Sequence, residues 1–299
     1  MAFSLKKSFK NGSLGALWTM KIAAFVLPLV FFGTSFALSQ EENSFICPKD
    51  KPKIPEIARA DVYANTPFKA GEEAVYELTW AGLKAGYGTL DVRPPRKHND
   101  IWHRVFHAAA STGDWFKAIF VAKEEIESIS RPWDFGISKF YMDQNEGKLF
   151  SSAFVQKKWL EFDHENCKVN ERTAQQGKPE KVGTFDLSYG ANDALGVLFN
   201  LRTKTYKLGQ KERVLVYTSE KNWYLEAEPV AFEKVSVPAG EFQAVKLKLQ
   251  TFIGKDLQQK GEVYAWIGTE MADKPLVQIQ GEIKIGSIWI KLHKYKNGK

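Results

Sequence analysis

"FKAGEEAVYELTWAGLKAGYGTLDV", Phe68 to Val92, decides how this chain is read. It divides into two strands and a turn. In the first strand Tyr76, Leu78 and Trp80 share a face; in the second Gly86, Gly88, Leu90 and Val92 do. Aligning those faces needs a loop of odd length, such as Gly82-Leu83-Lys84. Glycine inside a strand weakens it. Two on one face therefore mark a place where bulky partners need room, where the sheet bends tightly, or where a ligand reaches the backbone.

The alternation continues outward. In "AVKLKLQ" Val245, Leu247 and Leu249 face one way while Lys246, Lys248 and Gln250 face the other, the pattern of a half-buried strand. "VPAGEF" before it supplies a turn through Pro238 and Gly240. "EVYAWIG", "PLVQIQG" and "RVLVYTS" read as further strands. In "EIKIGSIWIKL" the apolar phase flips at Gly286-Ser287, which implies a β-bulge or a sharp bend. One segment, "NDALGVLFNLR", reads as a helix over 192–202 with Asn192 as cap and Arg202 in its last turn. It is apolar nearly all round, so it is buried. "GDWFKAIF" suggests a second helical turn. The expected fold is all-β with minor α: an antiparallel, strongly curved sheet or open barrel around one helix.

Residues 1–39 stand apart. "MKIAAFVLPLVFFGTSFALS" from Met20 has a charged start, a short apolar run and small residues before Gln40, the template of a secretory signal. Cleavage is expected after Ser39, with Ala37 as the competing last residue, and Met20 is an alternative start. The apolar run is too short to span a membrane. The leader carries four lysines and no acids, so the mature chain's surplus falls from +7 to three. That gives no case for nucleic acid. Residues 40–66, with three prolines among charges, read as an extended arm, and 67–299 as a single domain. Cys47 and Cys167 make an even pair in an exported chain, where a bridge is possible; nothing in the sequence places them together.

Residues 67–292 resemble the DUF3108 family of exported bacterial proteins. The resemblance rests on the opening stretch, on "DALGVLFNLR" from Asp193, on "VSVPAGEFQAVKLKL" from Val235 and on the run from Val263 to Leu292, in that order. The region from Arg131 to Lys181 is the least family-like. The resemblance implies an exported β-rich domain and no assigned chemistry.

Chemistry has few footholds. His103 and His107 lie four apart in a strand, about 13 Å, too far to share an ion. "HENCK" has Lys168 where a zinc-protease motif needs its second histidine. Glu125 and Glu127 share a strand face about 7 Å apart, within the range of paired glycosidase carboxylates; the competing reading has Ile126 facing in and both glutamates facing water. No catalytic residue, metal site or cofactor is assigned. Trp80, Trp115, Trp266 and Trp289 are candidates to line a cavity for an acyl chain or other apolar envelope ligand. The expected role is a non-enzymatic binding module or envelope assembly factor in the periplasm or on the periplasmic face of the outer membrane of a Gram-negative bacterium, with an envelope protein as a possible partner. The alternatives are a hydrolase of envelope glycan or lipid and a scaffold pairing through a sheet edge.

Overall fold

The computed structural model describes residues 45–299 except 115, 116, 118, 119, 149–152, 259, 260, 284 and 285. The proposed leader, Ser39, Trp115 and half of "GDWFKAIF" lie outside the described residues.

The opening hairpin forms as β1 (Glu73–Trp80) and β2 (Leu83–His98). Its turn is Ala81-Gly82, both with positive φ (48° and 81°), not the three-residue loop expected. A register shift after Leu78 makes up the difference, leaving Ala85 as the extra residue, so Tyr76 still faces Gly88 and Leu78 still faces Gly86. The glycines do the work of packing. A Cβ on Gly86 would lie 2.1 Å from the Ser111 carbonyl oxygen, so only glycine allows the next strand to approach there.

That next strand is β3 (Ile101–Thr112), followed by β4 (Phe120–Ser130), β5 (Ile137–Lys148), β6 (Phe154–Asp163), β7 (Lys168–Gln175) and β8 (Lys181–Asp186), each antiparallel to the one before. A helix, α1 (Gly196–Thr203), then leads into β9 (Glu212–Thr218), β10 (Lys221–Val237), β11 (Gly240–Ile253) and a short β12 (Asp256–Leu257) on the side of β11. β13 (Val263–Gly268), β14 (Leu276–Ile283) and β15 (Gly286–Lys296) complete the sheet. β15 pairs with β1, joining the two runs into one continuous sheet. Further register shifts, after Val75 and Pro229 for example, add the twist that curls it. The phase change at Gly286 is not a bulge within one strand. Ile283 pairs with Gly286, so the chain reverses there between β14 and β15.

The sheet wraps α1. Phe199 stacks on Phe106 of β3 with centroids 4.0 Å apart, and Phe68 meets both edge-on. The helix begins later than residue 192. Asn192 is spent on a parallel bridge to Val216, and the Asp193 carboxylate instead accepts the Gly196 N–H at 2.5 Å. The core also begins before Pro67: Val62 and Tyr63 are buried, and the Tyr63 hydroxyl donates to the Arg93 carbonyl.

The two ends of the sheet, β8 and β9, are not joined by a ladder. Leu187 to Asn192 lies between them. Leu187 N–H donates to the Cys167 carbonyl, while Asn192 exchanges backbone bonds with Leu215 and Tyr217 of β9. The Asn222 amide acts as a latch, accepting from Ser188 N–H at 2.7 Å and donating to the Asp186 carbonyl at 2.9 Å. On this seam sits the N-terminal arm. Cys47 is disulfide-bonded to Cys167, and Ile46 accepts from Tyr189 N–H.

Candidate functional site

One level of the sheet runs across the inner face from strand to strand: Tyr76, Gly88, Ala110, Glu124, Gln144, Gln156, Gln175. Small residues fill its β2–β3 part. From β4 to β7 it is polar, although it faces inward. On that level Glu124 and Gln144 are 3% exposed, and on neighbouring inward levels Glu146, Glu171 and Thr173 are each at most 8% exposed. The Gln144 amide nitrogen donates to Glu146 at 2.8 Å and to Glu124 at 3.2 Å, drawing two carboxylates together. Beside them the Lys158 ammonium meets Glu171 at 2.6 Å, and the Thr173 hydroxyl donates to the same oxygen. A polar cluster inside a sheet is costly unless its members are satisfied, so it is the feature of the inner wall that packing alone does not explain. Across the seam, Tyr217 of β9 packs its ring edge-on against Phe162 of β6. Burial pushes its phenol well above the usual range, and the Glu171, Glu220 and Asp186 carboxylates add to that.

Sequence reasoning passed over this site by one residue. Glu125 and Glu127 lie on the outer face. Glu125 is 54% exposed and touches His107, whose other ring nitrogen lies against Asp91. Burial pushes the Glu127 carboxyl up, but Arg96 and Arg93 outweigh it and hold the group below the usual carboxylate range. That is the opposite of what a glycosidase acid needs. The signal for Glu124 was present: it shares a face with the apolar Ala122 and Ile126, and a charge on a core face is the informative exception.

The other candidates fall in separate places. Trp266 and Trp289 stack on the outer face, centroids 6.1 Å apart. Trp266 is 3% exposed because Lys246 covers it and Glu233 accepts its indole N–H. Trp80 packs against the core at the Ala81-Gly82 end. A cavity of about 20 Å³ lies between Tyr76, Gly88, Leu198 and Leu276, room for one water and lined by apolar groups. His103 bonds Ser138 and the Ile101 carbonyl, and His164 bonds Ile137 and Gly190. Burial holds both imidazoles down to about 4, so they stay neutral. Among the described residues no group of three or more His, Cys, Asp or Glu is placed to hold a metal ion, and no helix is long and apolar enough to cross a membrane.

Residues 75–293 match DUF3108, "Protein of unknown function". The chain belongs to that family. This DUF3108 protein is also similar in fold to a β-barrel-like protein of the DUF1849 family from Brucella abortus, with a TM-score of 0.50 and 12% identity. That match covers 77% of this chain and 98% of the other. A candidate exported protein with a YmcC-like fold from Bacteroides fragilis aligns at a TM-score of 0.34 and 12% identity, over 78% of this chain and 98% of its own. A candidate lipoprotein from Parabacteroides distasonis aligns at 0.30 and 14%, with the same coverage. No curated protein matches the DUF3108 chain.

Proposed function

We propose that this chain is an exported, non-enzymatic binding module of the cell envelope, taking an amphiphilic ligand against the inner wall of its sheet. The observation that carries this reading is the division of that wall. Its β4–β7 part carries inward-facing polar groups, and next to it the wall is apolar where Phe106 packs on Phe199 of α1. A ligand with a polar head and an apolar body matches both parts. The leader-like residues 1–39 and the Cys47–Cys167 bridge, a bond that persists in oxidising compartments, support placement in the periplasm or on the periplasmic face of the outer membrane. The test is native mass spectrometry with lipid extraction on protein purified gently from its own envelope. A stoichiometric co-purifying amphiphile is the expected result. A clean apo mass, with no gain on adding envelope lipids, sinks the reading.

A second reading rests on β8. It is an edge strand paired only with β7, and Val182 on it is 73% exposed. Such an edge can accept a strand from a partner protein. Val182→Lys would abolish capture of that partner while leaving ligand binding intact.

A further inference from the structure

The strand order gives the sheet two unlike ends. Each strand is antiparallel to its neighbours, so β1, β3, β5, β7, β9, β11 and β14 finish at one end, where β2, β4, β6, β8, β10, β13 and β15 start. The opposite end carries the chain's own covering segments. They are the arm with its Cys47–Cys167 bridge and the end of α1, which Arg202 ties to Glu72 and to the β13–β14 loop.

Four large apolar side chains stand out from the first end. Leu83 opens β2 and is 57% exposed; Val121 at the start of β4 is 41% exposed. Val182 at the start of β8 is 73% exposed, and Leu257, on the β12 segment that turns back from β11, is 50% exposed. Each has an exposed lysine one or two residues away: Lys84, Lys123, Lys181 and Lys255. At the opposite end a lone Leu208, beside Lys207, is exposed in the connection between α1 and β9.

Charge at the first end leans positive once ion pairs are set aside. Lys84, Lys117 and Lys181 are engaged by Glu77, Asp114 and Glu220, while Glu180 and Glu262 are engaged by Arg172 and Lys248. Among the described residues, Lys123, Lys178, Lys221 and Lys255 make no ion pair, and the exposed acids left against them are Asp256 and Glu282.

The spacing of the apolar tips selects the occupant. In the sheet order, β8, β4, β2 and the β11 that carries β12 are four, two and five strands apart, about 10–24 Å at the usual strand spacing. Tips so far apart do not merge into the contiguous apolar core of a protein interface. They reach a flat surface together. At a lipid surface, apolar tips enter the boundary between headgroups and acyl chains, while neighbouring ammonium groups stay level with the phosphates.

We infer that this end of the sheet docks on an anionic lipid surface. Leu83, Val121, Val182 and Leu257 enter the interface, and Lys123, Lys178, Lys221 and Lys255 meet lipid phosphates. Such docking is independent of whether a ligand occupies the inner wall.

The experiment is co-sedimentation of the full mature protein, bridge intact, with phosphatidylcholine vesicles made with and without phosphatidylglycerol. Binding should require phosphatidylglycerol and weaken about tenfold from low to high salt. Leu83→Ser with Leu257→Ser should weaken it about tenfold, and so should Lys123→Gln with Lys255→Gln. Leu208→Ser at the opposite end should leave it unchanged. Thermal melts show whether each variant keeps the fold, as substitutions at exposed positions should. Equal binding to neutral vesicles overturns the inference, as does anionic binding that neither pair of substitutions moves. Absence of binding to either vesicle overturns it too. So does a second copy or a protein partner held through Leu83 and Leu257 while vesicles are ignored.

Discussion

Arg202 and Glu72 meet through two parallel hydrogen bonds of 2.6 and 2.9 Å, with side chains 5% and 3% exposed. The same guanidinium donates to the carbonyls of Asp273 and Lys274. One side chain at the end of α1 thus ties the helix to the segment leading into β1 and to the β13–β14 loop.

Breaking this pair from one side leaves a buried charge without its partner, which costs about 3–5 kcal/mol. Arg202→Met should therefore lower the urea midpoint sharply at unchanged slope. Arg202→Met with Glu72→Met should recover most of the loss, because paired apolar side chains carry no desolvation penalty. A single variant costing under about 1 kcal/mol would show that the pair is solvated.

The two glycines opposite Tyr76 and Leu78 predict opposite outcomes for one substitution. Gly86→Ala places a methyl 2.1 Å from a backbone oxygen, and β3 must move. A loss of about 3 kcal/mol or more is expected. Gly88→Ala meets its nearest atoms at 3.4 Å, beside the small cavity. It should be neutral or stabilise by up to about 1 kcal/mol through the unfolded chain's entropy. Equal losses in thermal melts would contradict this account of the hairpin.

The Cys47–Cys167 bridge spans 120 residues. In the chain-entropy account, a loop that long is worth about 4–5 kcal/mol. Replacing both cysteines by serine should cost that much and release the arm first. Hydrogen exchange at the Tyr189 amide, which donates to Ile46, reads the release. Unchanged protection at Tyr189 would show that the arm is held without the bridge.

Buried titratable groups set the pH dependence. His103 and His164 have pKa values lowered to about 4, so on acidification the unfolded chain takes up their protons first. Stability present above about pH 6.5 is lost as pH falls toward 4, up to about 3 kcal/mol for each. Asp193 runs the other way. Burial raises its pKa to about 6, so its contribution is fully present below about pH 4 and lost as pH rises through 6. Asp193→Asn, which keeps an oxygen for the Gly196 N–H, should gain on the native protein at pH 7 and not at pH 4. A gap that stays constant across that range would contradict the assignment of Asp193.

Much of the fold is legible in local pattern. "AVKLKLQ" alternates, and Val245, Leu247 and Leu249 are buried, with the small Ala244 buried beside them. The helix is recognisable because apolar residues surround it, and its buried Arg202 stands in the last turn as the sequence suggests. The site is less legible. Alternation fixes which residues share a face, and Ile126 points Glu124 inward, but a cluster needs neighbours that only strand pairing supplies. Gln144, Gln156 and Gln175 reach Glu124 through three separate ladders.

By itself, then, the sequence determined strands, turns, one enclosed helix and the alternation of faces, because these depend on residues a few positions apart. Only the tertiary structure decided that β15 pairs with β1, that Cys47 meets Cys167, that the Trp266–Trp289 stack lies outside, and that Tyr217 packs on Phe162 across the seam. Those contacts join residues tens to hundreds of positions apart. A single shift of register, like the one after Leu78, changes what each strand brings to them.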